Sequence, residues 1–317
     1  VKHTGDQADR SLTAASPDLA TVETRPISAL IRSLRPRQWT KNFIVFFGLI
    51  FSEQLGNPDA VLRASLAFLI FCALSGVVYL INDIRDREAD RMHPTKSQRP
   101  IASGALGVET AGLAAGILGA AAIAGAFLLT PRFGVVAVSY VTLLTLYSTW
   151  LKHIVILDVI TLAAGFVMRA YAGAVAIHVE FSHWLLLLTL LSALFLALSK
   201  RRAELVTLAD DAKGHRRSLA EYSPYLLDQM IGVVTACTLL AYAFYTIDDE
   251  TVLKFGTDAL LWTVPFPLYG IFRYLYLVHQ REGGGDPSET LLTDRPIRLC
   301  VALWGLAVIW ILYGPWR

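Results

Sequence analysis

Residues 77–104 read VVYLINDIRDREADRMHPTKSQRPIASG, and the abrupt change of character within them decides how the chain is built. An apolar run ends at Ile81, and Asn82, Asp83, Asp86 and Asp90 follow at once. Asn82, Asp86 and Asp90 are spaced i, i+4, i+8, so on a continuing helix they share one face, with Asp83 beside them. Polar groups at membrane depth mark a site or a water-filled cavity. A solvated helix end, with Asp86 and Asp90 paired to Arg87 and Arg91, is the plainer alternative. One or two carboxylates, completed by substrate phosphate, are how Mg2+ is normally held. The face of Asn82, Asp86 and Asp90 is therefore a candidate site for a metal diphosphate.

The remainder of the chain has the composition such a boundary requires. Of 317 residues 55% are hydrophobic and 17% charged, and the mean hydropathy is +0.50, which excludes a soluble globular protein, a disordered chain and a disulfide-stapled module. Cys72, Cys237 and Cys300 lie in apolar runs and read as small buried hydrophobes. Apolar stretches of membrane-spanning length, about 20 residues or somewhat fewer, recur near 42–56, 61–82, 107–129, 133–150, 154–178, 183–199, 226–246, 258–278 and 297–314. The expectation is an all-α polytopic membrane protein with about nine transmembrane helices. Residues 1–30 are expected to be a flexible cytosolic arm, and 31–317 one transmembrane catalytic domain. Gly112, Gly116 and Gly119 have the spacing of a close helix-packing face.

Basic residues fall on alternate connections: Arg32, Arg35, Arg37 and Lys41; Arg85 to Arg99; Lys152; Lys200 to Arg202 with Lys213, Arg216 and Arg217; and Arg281 with Arg295. By the positive-inside rule these lie in the cytosol, together with the amino terminus. The links Glu53–Asp59, Thr130–Arg132, Val179–His183 and Asp248–Lys254 fall outside.

Beyond the acidic face, Lys96 and Arg99 each stand near a proline, so the chain can turn back over the site and offer a point charge and a planar fork to phosphate. Lys152 has snorkelling as its ordinary explanation. Asp158 and Arg169 occupy one apolar helix, about 16 Å apart at helical rise, so each needs another partner inside the bundle. Neutralisation and substrate binding both remain open for them. The segment from Lys200 to Glu204, KRRAE, combines Lys200, Arg201, Arg202 and Glu204, and suits either an anionic substrate or anionic lipid. Gly283 to Gly285 read as a linker, not a P-loop.

Three features together resemble the UbiA superfamily of intramembrane prenyltransferases. These are the helix count, the N-D-x-x-D-x-x-x-D stretch at Asn82–Asp90, and Y-S-x-x-x-K at Tyr147–Lys152. The likeness runs from Leu34 onward. It implies a UbiA-type bundle with a cytosolic-side active-site cavity, Asn82, Asp86 and Asp90 as Mg2+ ligands, and Asp83 beside them in the catalytic set. Typical members carry a second aspartate-rich motif after the sixth helix, where this chain has Lys200-Arg201-Arg202-Ala203-Glu204. That departure, with RPRQWTKN at Arg35–Asn42 and HPTKSQRPIA at His93–Ala102, is similar to the decaprenyl-phosphate phosphoribosyltransferase branch.

The resemblance implies Mg2+-dependent transfer (Mn2+ may substitute) of 5-phosphoribosyl from phosphoribosyl diphosphate to a polyprenyl phosphate in the bacterial plasma membrane, towards cell-wall arabinan. Lys41, Lys96, Arg99, Tyr147, Lys152, Arg169, Lys200, Arg201, Arg202 and Glu204 are then the candidate substrate-binding residues. No nucleic-acid partner is expected, and assembly with further copies of the chain is left open. An aromatic or quinone-type prenyltransferase is the alternative enzyme, and a lipid carrier the alternative without chemistry.

Overall fold

The structure is a computed structural model that describes residues 26–207, 219, 221–280, 290 and 293–314, and every regular element in it is helical. Lys213, Arg216, Arg217, Arg281 and Gly283–Gly285 lie outside the described residues, as do residues 1–25 of the expected arm. Residues 26–30, expected as the end of that arm, open helix α1 (Pro26–Ser33), in which Ala29 is buried.

Among the described residues seven helices are long and apolar enough to cross a membrane: α3 (Pro58–Arg85), α6 (Val108–Leu129), α7 (Pro131–Thr149), α8 (Leu157–Ala176), α9 (His183–Thr207), α10 (Pro224–Ile247) and α13 (Arg295–Tyr313). One local signal starts four of them. A capping side chain accepts a backbone N–H of the first turn, and proline fills that turn, where its missing N–H costs nothing. Asn57 caps α3, Thr130 caps α7, Ser223 caps α10 and Asp294 caps α13.

The other two expected spans take different forms. Residues 36–51 wind as a 3-10 helix, Pro36–Phe46, continued by the short α2 (Phe47–Phe51). The polar run Arg37 to Asn42 gives this stretch no continuous apolar face. The apolar run near 258–278 is divided at Pro265, which cannot continue a helix begun before it. A 3-10 turn, Ala259–Thr263, precedes it, and α12 (Pro265–Gln280) follows. Shorter pieces are α4 (Arg87–Met92), α5 (Pro100–Ser103) and α11 (Asp249–Phe255). Helix α9 runs past the expected end at 199, so Lys200 to Glu204 lie on helix, not in a loop.

Phe71, Phe133 and Tyr140 form the centre of the amino-terminal half, with ring centroids 5.8 Å and 5.0 Å from Phe71 to the other two. A close backbone approach lies between residues 45–48 and α8. A Cβ on Gly173 would fall 1.9 Å from the carbonyl oxygen of Val45, and one on Gly48 would fall 3.0 Å from the backbone N of Ala174. The glycines singled out on α6 do not serve this purpose. Gly112 and Gly116 meet nothing within 4 Å, because they lie on the outer face of a peripheral helix; only Gly119 touches the body, through Val77. Cys72 and Cys300 are buried as expected, whereas Cys237 is on the surface.

The carboxyl ends of α3, α7 and α9 and the amino end of α8 share one end of the bundle, where Lys152 meets Asp86 and Arg201 meets both Tyr147 and Asp158. The charged residues gather there.

Candidate functional site at one end of the bundle

Helix α3 stops at Arg85, and Asp86 is the joint to α4, with φ −87° and ψ 6°. The hydrogen-bond ladder nevertheless bridges the joint. The N–H of Asp86 donates to the carbonyl of Asn82 at 2.9 Å, and that of Asp90 to the carbonyl of Asp86 at 2.7 Å. Asn82, half-buried, thus stays in register with Asp86 and Asp90 despite the break.

Downstream the chain folds back. Pro94 and Pro100 bracket the turn, the N–H groups of Thr95 and Lys96 point at Nδ1 of His93, and Gly104 closes α5 at φ +85°. This return brings Nη1 of Arg99 to 3.1 Å from Asp83 Oδ1 and 2.6 Å from Asp90 Oδ2. Asp83 and Asp90 are both buried. Arg35 completes the cluster, with Nη2 at 2.5 Å from Asp83 Oδ1 and its guanidinium over the ring of Tyr79. Asp86 meets a cation from elsewhere: Lys152 Nζ donates to both its oxygens, at 2.7 and 3.0 Å. Lys41, in the 3-10 stretch, and Lys96 are half-buried. The expected acidic face and its loop cations are thus brought together, and Arg35 joins them. Its place in RPRQWTKN was the signal for that.

A second cluster lies at the adjoining end of α9. Arg201 is 2% exposed; its Nε donates to Asp158 Oδ2 at 2.8 Å, Nη1 to Glu204 at 2.5 Å and Nη2 to the hydroxyl of Tyr147 at 3.1 Å. The Tyr222 hydroxyl donates to the other oxygen of Asp158 at 2.8 Å and accepts the N–H of Ile156 at 2.7 Å. Arg202 pairs with Asp228, which also faces His279. Arg201, Arg202, Glu204 and Tyr147 are therefore engaged with one another or with neighbouring helices. Lys200, half-buried beside them, makes no ion pair among the described residues.

Asp158 and Arg169 both face the interior, as expected of charges in an apolar helix, and they have separate partners. Arg169 donates to Asn42 Oδ1 at 2.9 Å, to the Gly165 carbonyl at 3.1 Å and to the Tyr140 hydroxyl at 2.5 Å. Its guanidinium lies 4.9 Å from the ring centres of Tyr140 and Phe166. Asn42 and Tyr140 were not among the expected site residues. Asn42 closes the RPRQWTKN motif, whereas nothing local in sequence marks Tyr140.

The donor chemistry at the first cluster is oxygen only, and Asp83, Asp86 and Asp90 are carboxylates, which suits a hard divalent cation. Among the described residues no three acidic, histidine or cysteine side chains form a ready cage. That is compatible with Mg2+, which takes one or two carboxylates and completes its shell from phosphate and water. Asp86 and Asp90, with Asn82 beside them, are the residues that would hold it.

Residues 42–292 match the UbiA prenyltransferase family. The chain belongs to the UbiA prenyltransferase family. Within it, the decaprenyl-phosphate phosphoribosyltransferase of Corynebacterium glutamicum is 33% identical over 90% of this chain and 86% of its own length. That of Mycolicibacterium smegmatis is 33% identical over 88% of this chain and 90% of its own. A solved structure of a UbiA homologue from Archaeoglobus fulgidus, bound to GPP and Mg2+, superposes with a TM-score of 0.71 over 90% of this chain and 100% of that one. Its identity is 19%, so it shares the UbiA fold.

Proposed function

We propose that this UbiA-family protein transfers the 5-phosphoribosyl group of phosphoribosyl diphosphate to a polyprenyl phosphate. What carries the proposal is its near full-length likeness to relatives named decaprenyl-phosphate phosphoribosyltransferase. The sugar donor carries a diphosphate and a separate 5-phosphate, and the acceptor is itself a phosphate, so like charges have to meet. Arg35, Arg99 and Lys152 at the carboxylates, with Lys41, Lys96 and Lys200 around them, offset that repulsion and orient the two reactants. A phosphate oxygen of the lipid attacks the anomeric carbon of the ribose. The bond from that carbon to the diphosphate breaks, and pyrophosphate leaves. The lipid phosphate is already ionised at neutral pH, so no residue has to remove a proton from it. Bound Mg2+ or Mn2+ supplies neutralisation of the diphosphate and of the departing pyrophosphate.

At the place where a second aspartate motif would stand, Arg201 is turned inward to Asp158. Arg201 and Arg202 then hold α9 in place, and Lys200 meets a substrate phosphate. Arg169 anchors the 3-10 stretch through Asn42, well below the charged end.

Nine crossings remain the best account of the chain path. Residues 36–51 start beside Arg35 at the charged end and finish where Tyr313 donates to the Ile50 carbonyl at the other. Eleven residues at 3-10 rise and five at α rise reach about 30 Å, the thickness of the hydrocarbon layer. Helix α12 supplies the eighth crossing. Basic loops at the charged end support the reading that this end, with the site, faces the cytosol from the bacterial plasma membrane.

The test is purified protein with labelled phosphoribosyl diphosphate and a short polyprenyl phosphate. Lipid-soluble label should appear with Mg2+ or Mn2+ and vanish in excess chelator. Asp86→Ala and Asp90→Ala should lose nearly all turnover while remaining folded in detergent. Prenyl transfer from a prenyl diphosphate to an aromatic acceptor, with phosphoribosyl diphosphate ignored, would overturn the proposal.

A further inference from the structure

The turn that carries Lys152 is held by a side chain outside the charge pairs of the diphosphate site. Tyr222, buried between α8 and α10, reaches residue 156 from a segment 66 positions away in sequence. Ile156 has φ +70° and ψ −47°, and the N–H of Leu157 donates to the carbonyl of Val155 at 2.8 Å, so Ile156 is the centre of a strained γ-turn. A β-branched residue keeps such a conformation only where its surroundings impose it. The imposing contact is the N–H of Ile156, which donates to the phenol oxygen of Tyr222. The same oxygen donates onward to Asp158, and Asp158 is tied through Arg201 to Tyr147 at the end of α7. Both ends of the Trp150–Ile156 turn are thereby fastened to one buried network. Burial, reinforced by Asp158, pushes the Tyr222 phenol well above its ordinary pKa, so it remains a donor at neutral pH.

We infer that Tyr222 is a positioning residue: by fixing the Trp150–Ile156 turn it sets the Lys152 ammonium against Asp86. The inference rests on the proposal that the Asp86–Lys152 pair belongs to the diphosphate-binding site. Tyr222 itself contacts none of the reacting groups and acts through Lys152.

Tyr222→Phe removes one oxygen and keeps the ring packed with Val159 and Leu227. Hydrogen–deuterium exchange of the full chain in lipid nanodiscs should show the peptide over residues 150–158 exchanging about tenfold faster, with α3 unchanged. In the transfer assay, Tyr222→Phe should lose about tenfold in kcat/KM for the sugar donor, with KM for the lipid unmoved. Lys152→Met should lose more, and the double variant should be no worse than Lys152→Met alone, because the two act through one contact. Losses that multiply in the double variant, or an unchanged exchange rate, overturn the inference. If the wild type uses a prenyl diphosphate instead, the functional proposal fails, and the same cycle run with that donor still decides the role of Tyr222. Should neither donor react, the exchange rate decides it.

Discussion

Lys200 and Arg201 are adjacent in sequence and equal in formal charge, yet the fold treats them oppositely. Arg201 is committed to Asp158, which is fully buried, and to Glu204. Removing one partner of a buried pair leaves the other as an uncompensated charge, at a cost of about 3–5 kcal/mol. Arg201→Ala is therefore expected to unfold at distinctly lower temperature than the wild type in the same detergent, as followed by a thermal-shift assay. Wild-type stability of Arg201→Ala would disprove the buried pair. Lys200→Ala should fold normally and raise KM for the sugar donor by about tenfold to a hundredfold, since a charge-assisted contact contributes roughly 1.5–3 kcal/mol. The sequence shows which residue types are present here, and the spacing of the first aspartates shows which share a face. It does not show pairing, because Arg201 and Asp158 are 43 positions apart and Lys152 and Asp86 are 66 apart. Tyr222 was illegible for the same reason.

Seven of the long helices follow from hydropathy and from the proline-bearing caps, both local properties. What local properties miss is which face of a helix is turned inward. Gly112 and Gly116 have small-residue spacing and look outward, whereas Gly173, without a recognisable spacing, receives a backbone carbonyl. Gly173→Ala would place a methyl group into Val45, and overpacking of this kind costs about 1–3 kcal/mol or more. Gly116→Ala should be neutral within about 0.5 kcal/mol. Parallel thermal unfolding of the two variants checks the contrast, and equal stability would mean that the 3-10 stretch does not rest on α8. The 3-10 winding itself was also beyond reach, since residues 36–46 carry no periodicity that separates it from an ordinary short helix.

The gathering of charge at one end gives the chain a sidedness that labelling can read. In a background of Cys237→Ala, a cysteine at Ser97 should react only with reagent on the cytosolic side, and cysteines at Gly56 and Glu250 only from outside. Reaction of residues 97 and 250 from the same side would contradict the nine-crossing path. Seven of the nine spans expected from the sequence are long apolar helices; the other two are short, polar or divided by proline, which hydropathy alone does not reveal. One of these, the 3-10 stretch seated on Gly173, bears on how the protein is made. Arg37, Gln38, Lys41 and Asn42 make it a poor substrate for insertion by its own hydrophobicity; Asn42 meets Cys72 and Ser75 on α3, but its charged partner Arg169 and the Gly173 position that admits Val45 belong to α8, which begins at residue 157. At ordinary synthesis rates the ribosome reaches that helix on the order of ten seconds later. The first part of the bundle to be translated is then among the last to settle, and in a nascent chain ending at Thr149 a cysteine at Val45 should stay open to aqueous reagent until α8 has been added.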